Sequence, residues 1–271
     1  MNLVIQFLLT ISVVNILSSE NSHSKEQLFY DAVRLESSGN IAEAIKKYEK
    51  ALSEASSANL HGNLANLYYL SDKYGKSILH YRKSLLLEPD NRDFQTNLDY
   101  VCKMAKVGNS NNEISQVLKG FPIDSWKGLL AIIFWSGLLI ICFMFHRRFS
   151  TKSITALSCC WIALNLLFTY LIYQSAKRLD IMERTVVALN PDNVSENNSS
   201  TDIQLRKFAA KTSSANSSVR FGETLIVDKS VSGTLQTHQS QGAQNWLLVS
   251  TPDKRARGWV LEDEVGWLTR N

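Results

Sequence analysis

The chain has 271 residues, of which 45% are hydrophobic and 20% charged, and its formal net charge is +4. That length holds one or two domains, and the composition excludes both disorder and collagen-like order. The charge is too small and too dispersed for a nucleic-acid-binding surface, which gathers Lys and Arg on one face.

Residues 3–17, LVIQFLLTISVVNIL, are apolar and are followed by Ser18, Ser19 and Glu20. Residues 1–19 resemble a secretory signal peptide. No Lys or Arg precedes the run and no small-x-small cleavage site follows it, so an uncleaved anchor stays open. Either form exports what comes next.

Residues 24–106 are amphipathic. A spacing of 33 aligns LFYDAVRLESSGNIAEAIKKYEKAL (28–52) with HGNLANLYYLSDKYGKSILHYRKSL (61–85). Ala32 pairs with Ala65, Ile45 with Ile78, Tyr48 with Tyr81 and Leu52 with Leu85. Polar breaks at Gly39-Asn40 and Asp72-Lys73 divide each copy into two helices. With small residues at Ala32, Ala65, Ala44 and Ser77, aromatics at Tyr48 and Tyr81, and Pro89 closing the second copy, the copies resemble tetratricopeptide repeats over 25–57 and 58–91. The first copy departs by carrying Ser56 where that proline would fall. Phe94, Leu98, Val101 and Ala105 predict a capping helix within 93–106, since each repeat needs a neighbour to cover its apolar face. Residues 107–124 read as a linker. The resemblance implies a concave groove exposing Phe29, Val33, Asn66 and Tyr69 to a peptide or partner helix. Contact with the capping helix, or with water, is the plainer reading of the same four residues.

Residues 128–145, GLLAIIFWSGLLIICFMF, and 154–173, ITALSCCWIALNLLFTYLIY, contain no charge. At 1.5 Å per residue they reach about 27–30 Å, the thickness of the hydrocarbon layer. Two transmembrane helices are predicted, at 126–146 and 154–174, with Trp126, Tyr170 and Tyr173 near the headgroups. Arg147, Arg148 and Lys152 in the intervening loop, 147–153, are the topology determinants and place it on the cytoplasmic side. Both soluble parts then face outward. Cys142, Cys159 and Cys160 lie in the apolar runs and only Cys102 lies outside them. That pattern provides neither a disulfide framework nor a zinc site.

The period changes after NVSENNSST (193–201). TLIV (224–227), NWLLVS (245–250) and RGWVL (257–261) are short β-type runs separated by turn-forming clusters, which suggests a small antiparallel barrel over 184–271. FGETLIVDKS, QNWLLVS and RARGWVLEDEV, in that order, resemble a bacterial SH3-like domain, with VVAL (186–189) and LRKFA (205–209) as its opening strands. The KTSSANSS turn departs from the usual pattern. Trp246 and Trp259 are a candidate ligand surface, with Trp267 beside them, because such domains stack cell-wall peptides. Packing is the commoner role for a Trp in so small a barrel. Asn193, Asn197, Asn198 and Asn216 head Asn-x-Ser sequons of the kind expected in Asn/Ser-rich text.

No phosphate-binding loop, His-Glu-x-x-His or Gly-x-Ser-x-Gly occurs. His61 and His80 are isolated in sequence and read as solvent-facing or groove residues. No catalytic role, metal or cofactor is expected. The fold class is a multi-domain membrane protein: an α-helical tetratricopeptide repeat pair, a two-helix transmembrane hairpin and a small all-β SH3-like barrel. This order of modules resembles the aerotolerance-operon family called BatE over nearly the whole chain. The resemblance implies the bacterial inner membrane with both modules periplasmic. It also implies partners among von Willebrand A-domain membrane proteins and a MoxR-type ATPase. Two functions are open: a protein-interaction scaffold, or a cell-envelope sensor binding peptidoglycan peptides through the barrel.

Overall fold

The computed structural model describes residues 26–108, 123–189, 202–240 and 244–270. The signal-like segment, most of the linker and the polar stretch 193–201 lie outside the described residues. The chain forms two compact units, one of residues 1–110 with 184–271 and the other of residues 111–183.

The first unit opens with five helices: α1 (26–37), α2 (Ile41–Glu54), α3 (Ala58–Leu70), α4 (Tyr74–Leu87) and α5 (Arg92–Met104). Side chains satisfy free amides at the starts of α2, α3 and α5. Asn40 Oδ1 accepts from Glu43 N–H, Ser57 Oγ from Leu60 N–H, and Asn91 Oδ1 from the amides of Asp93 and Phe94. A left-handed residue ends α1, α3 and α5: Gly39, Asp72 and Lys106 have φ of 79°, 58° and 54°. In each case the following amide reaches back to the carbonyl of Leu35, Tyr68 or Cys102, closing the helix C-terminus. Ala32, Ala44, Tyr48, Leu64, Leu67 and Tyr68 form the buried centre of these helices. Ser77 is small and fully buried, and its hydroxyl donates to Ala65 O at 2.8 Å. At Gly62 any Cβ would overlap the Phe94 ring, so the missing side chain seats α5 on α3.

The same unit closes with eight strands: β1 (Thr185–Ala188), β2 (Asp202–Arg206), β3 (Ala215–Arg220), β4 (Thr224–Val227), β5 (Thr237–Gln239), β6 (Asn245–Ser250), β7 (Arg257–Leu261) and β8 (Val265–Trp267). They form one antiparallel sheet of order β3-β2-β7-β6-β4-β1-β8, with β5 on β6. The path is open at β3 and β8. Alternate residues of β2, β6 and β7 turn inward, so Ile203, Leu205, Leu247, Val249 and Val260 build the core with Val186, Leu225 and Val227. Sequence reading treats 233–243 as turn, whereas β5 lies within it. Its residues Thr237, His238 and Gln239 are all exposed, so no apolar alternation betrays the strand.

The helices and the sheet pack on each other. Leu79 of α4 meets Gly266, and Ile78 and Val107 meet Gly222, leaving no room for a side chain at either glycine. Arg220 Nη1 donates to Lys106 O at 2.7 Å, and Lys83 Nζ to Arg270 O at 2.6 Å.

The second unit is a hairpin of α6 (Ile123–His146) and α7 (Thr151–Glu183). Both are long and apolar enough to cross a membrane, and nothing within their apolar windows is buried. Ile132, Leu139 and Phe145 are 66%, 69% and 76% exposed, which argues against a soluble core helix. The helices interlock at Gly137, where the Trp161 indole occupies the space of a side chain. Its Nε1–H donates to Ile133 O at 3.1 Å, and its ring lies 5.5 Å from that of Phe134. α7 runs nine residues beyond the predicted span. Those residues, SAKRLDIME, still propagate a helix but are too polar for hydrocarbon.

Candidate functional site

The four groove positions lie on α1 and α3. Val33 is 39% exposed, and Asn66 is exposed with its Oδ1 accepting from the Tyr81 hydroxyl. Phe29 is partly buried against Tyr48, with ring centroids 6.0 Å apart. Tyr69 is partly buried and donates to the Tyr100 hydroxyl at 3.3 Å. Tyr74 lies 6.1 Å from Tyr69 and donates to Asp72 at 2.9 Å. Tyr69, Tyr74 and Tyr100 thus form a hydroxyl-rich aromatic cluster. Hydrogen bonding raises the phenol pKa values of Tyr69, through Tyr100, and of Tyr74, through Asp72. The cluster can pack an apolar side chain and offer hydroxyls to a peptide backbone.

Sequence reasoning missed Tyr100. A signal was present: one further step of 33 from Arg34 and Leu67 lands on Tyr100, and the left-handed terminus at Lys106 shows α5 repeating the geometry of α1 and α3.

The histidines are not isolated. His61 is 3% exposed, and its Nδ1 lies 3.0 Å from His80 Nδ1 across α3 and α4. His61 Nε2 meets Ser56 Oγ at 3.0 Å, and the His80 ring stacks toward Tyr68 at 5.4 Å. One Nδ1 must carry a proton and the other a lone pair, so the contact requires at least one neutral ring. Burial, with the Lys83 charge, lowers His61 to about 4. Burial, His61, Lys83 and Lys76 hold His80 well below the usual imidazole range. Both rings are neutral at pH 7. Cys102 is buried, and burial pushes its thiol up despite the nearby Arg82 guanidinium. No group of three or more potential metal ligands occurs among the described residues.

In the β module Trp246 is 1% exposed and presents no surface to a ligand, which corrects the expectation for this residue. It lies on the face of β6 opposite Leu247 and Val249, and tertiary packing covers that face too. Trp259 is partly buried, 6.3 Å from His238. Trp267 donates to Glu262 at 3.3 Å and stacks under Arg270 at 3.8 Å. The three tryptophans therefore do not form one open stacking platform.

Arg147 and Arg148 form the turn between α6 and α7, and Lys152 lies in the first turn of α7. Arg147 lies 5.7 Å from the Phe143 ring, and Arg148 takes φ 55° to reverse the chain. All three are exposed.

No protein-family model matches the chain, and no characterised protein matches it significantly.

Proposed function

We propose that the protein is a membrane-anchored interaction scaffold. In this reading the helical part is a tetratricopeptide module, the sheet is SH3-like, and both stand on the exported side of the membrane as one binding body. The observation that carries it is the packing of the helical and β parts into one unit. Parts that pack together share one side of a membrane, so the segment between them crosses an even number of times, and two apolar helices are available for it. The Tyr69–Tyr74–Tyr100 cluster, with Tyr100 exposed and the other two partly buried, offers a docking surface on the helical part, for which von Willebrand A-domain membrane proteins are the proposed partners. A BatE-like role follows from the order of modules.

Reporter fusions after residues 110, 150 and 200 are expected to read outside, inside and outside. Opposite readings at 110 and 200 would overturn the shared side, and an inside reading at both would place the body in the cytosol. Crosslinking in native membranes is expected to retrieve a protein partner, and this retrieval should be lost on Tyr69→Ala with Tyr100→Ala. A peptidoglycan sensor has less support, since Trp246 is buried. Retention of the full chain on purified cell wall would restore that alternative.

A further inference from the structure

The β module is polarised along its strands. Pairing of Thr185 with Ile226, Ile226 with Ser250, and Ser250 with Arg257 brings the start of β1, the ends of β4 and β6 and the start of β7 to one end. β2 runs antiparallel to β7, so the β2–β3 loop emerges there as well. Asn216 Nδ2 ties that loop to Arg257 O at 2.7 Å, and Arg257 Nε binds Asp228 at 2.7 Å. Three loops, 207–214, 228–236 and 251–256, therefore cluster at this end.

They carry exposed Lys207, Lys211, Lys229, Lys254 and Arg255. The carboxylates among them, Asp228 and Asp253, are already bridged by Arg257 and Arg255. The opposite end carries Asp202, Glu223, Glu262, Asp263 and Glu264. Two apolar side chains protrude from the basic end: Phe208 is 72% exposed and Val231 fully exposed. Both are held in place. Arg206 Nη1 donates to Lys211 O and Ser213 O, and Phe208 N–H to Ser213 Oγ. Val231 sits in a turn closed by Gly233 N–H to Ser230 O, with Ser230 Oγ 2.8 Å from Thr234 Oγ1. A loop held by its own hydrogen bonds, with an exposed aromatic among lysines, has the composition of a surface that meets anionic headgroups.

Chain continuity selects the occupant. The chain leaves α7 at Glu183, and Arg184 O accepts from Val227 N–H at this same basic end. The contacts with the helical part fall on Gly222, Gly266 and Arg220, and on Arg270 beside the start of β1, none of them in the three loops.

We infer that loops 207–214, 228–236 and 251–256 form a contact surface for anionic phospholipid headgroups, with Phe208 and Val231 entering the headgroup layer. This rests on the reading that α6 and α7 span the bilayer. The test uses the full chain in nanodiscs of phosphatidylcholine alone or with about 30% phosphatidylglycerol. Co-elution with lipid reports the anchoring, and amide exchange in the loops reports the surface. Exchange in 207–214 and 228–235 is expected to slow about fivefold or more in the anionic discs relative to the neutral ones. The slowing should vanish in Lys207→Glu/Lys211→Glu/Lys254→Glu, exposed changes that leave the core intact. Loop exchange independent of lipid charge, in protein that does co-elute with lipid, overturns the inference. Failure to co-elute overturns the anchoring itself.

Discussion

At the residue scale the His61–His80 contact is the sharpest feature. Its folded-state pKa values are depressed, so the unfolded chain binds more protons. The stability gained by keeping both rings neutral is complete above pH 6.5 and is lost as pH falls toward about 4 for His61. Unfolding of the full chain in detergent is expected to become easier over that window, by up to about 1.4 kcal/mol per pH unit for each proton taken up. His61→Gln with His80→Gln should flatten this dependence. A wild-type stability that does not change between pH 6.5 and 5 would refute the assignment. Trp246 shows the limit of reading single residues. Its place in a β-type run is legible, but which face of β6 is covered depends on chain folded over both.

At the scale of elements, the helices of the N-terminal part were legible because each carries its own signals. Apolar residues recur at helical spacing on both sides of the polar breaks at Gly39-Asn40 and Asp72-Lys73. The two apolar spans were legible for the same local reason. The interlock between them was not, since it joins Gly137 to Trp161 across the turn. Gly137→Leu should displace the Trp161 indole from Ile133 O. Unfolding free energy in mixed micelles is expected to drop by about 1 kcal/mol, typical of an interhelical hydrogen bond in lipid. An unchanged value would mean that the notch contributes nothing. Strand β5 escaped the sequence reading because an exposed edge strand needs no apolar alternation.

At the scale of the whole molecule, the informative result is the discontinuous first unit. Its helical and β parts are separated in sequence by the hairpin, yet share contacts at Gly222 and Gly266. Gly266→Leu places a bulky side chain against Leu79 and should uncouple them. Calorimetry in detergent should show the shared transition of wild type splitting in two. A single transition persisting in the variant would show that the Gly266 contact is not what couples the two parts. Strand register likewise brings the start of β1 to the basic end of the sheet, a relation that no local pattern encodes.

The sequence by itself determined the helical N-terminal part, two spans long enough for a bilayer and an antiparallel β region, because periodicity, hydropathy and turn chemistry act over a few residues. Tertiary structure alone decided that His61 meets His80, that Tyr100 joins Tyr69, that Trp246 is covered, and that loops far apart in the chain gather their lysines at one end. Each of these depends on the closure of distant segments, whose geometry is set by how whole elements pack.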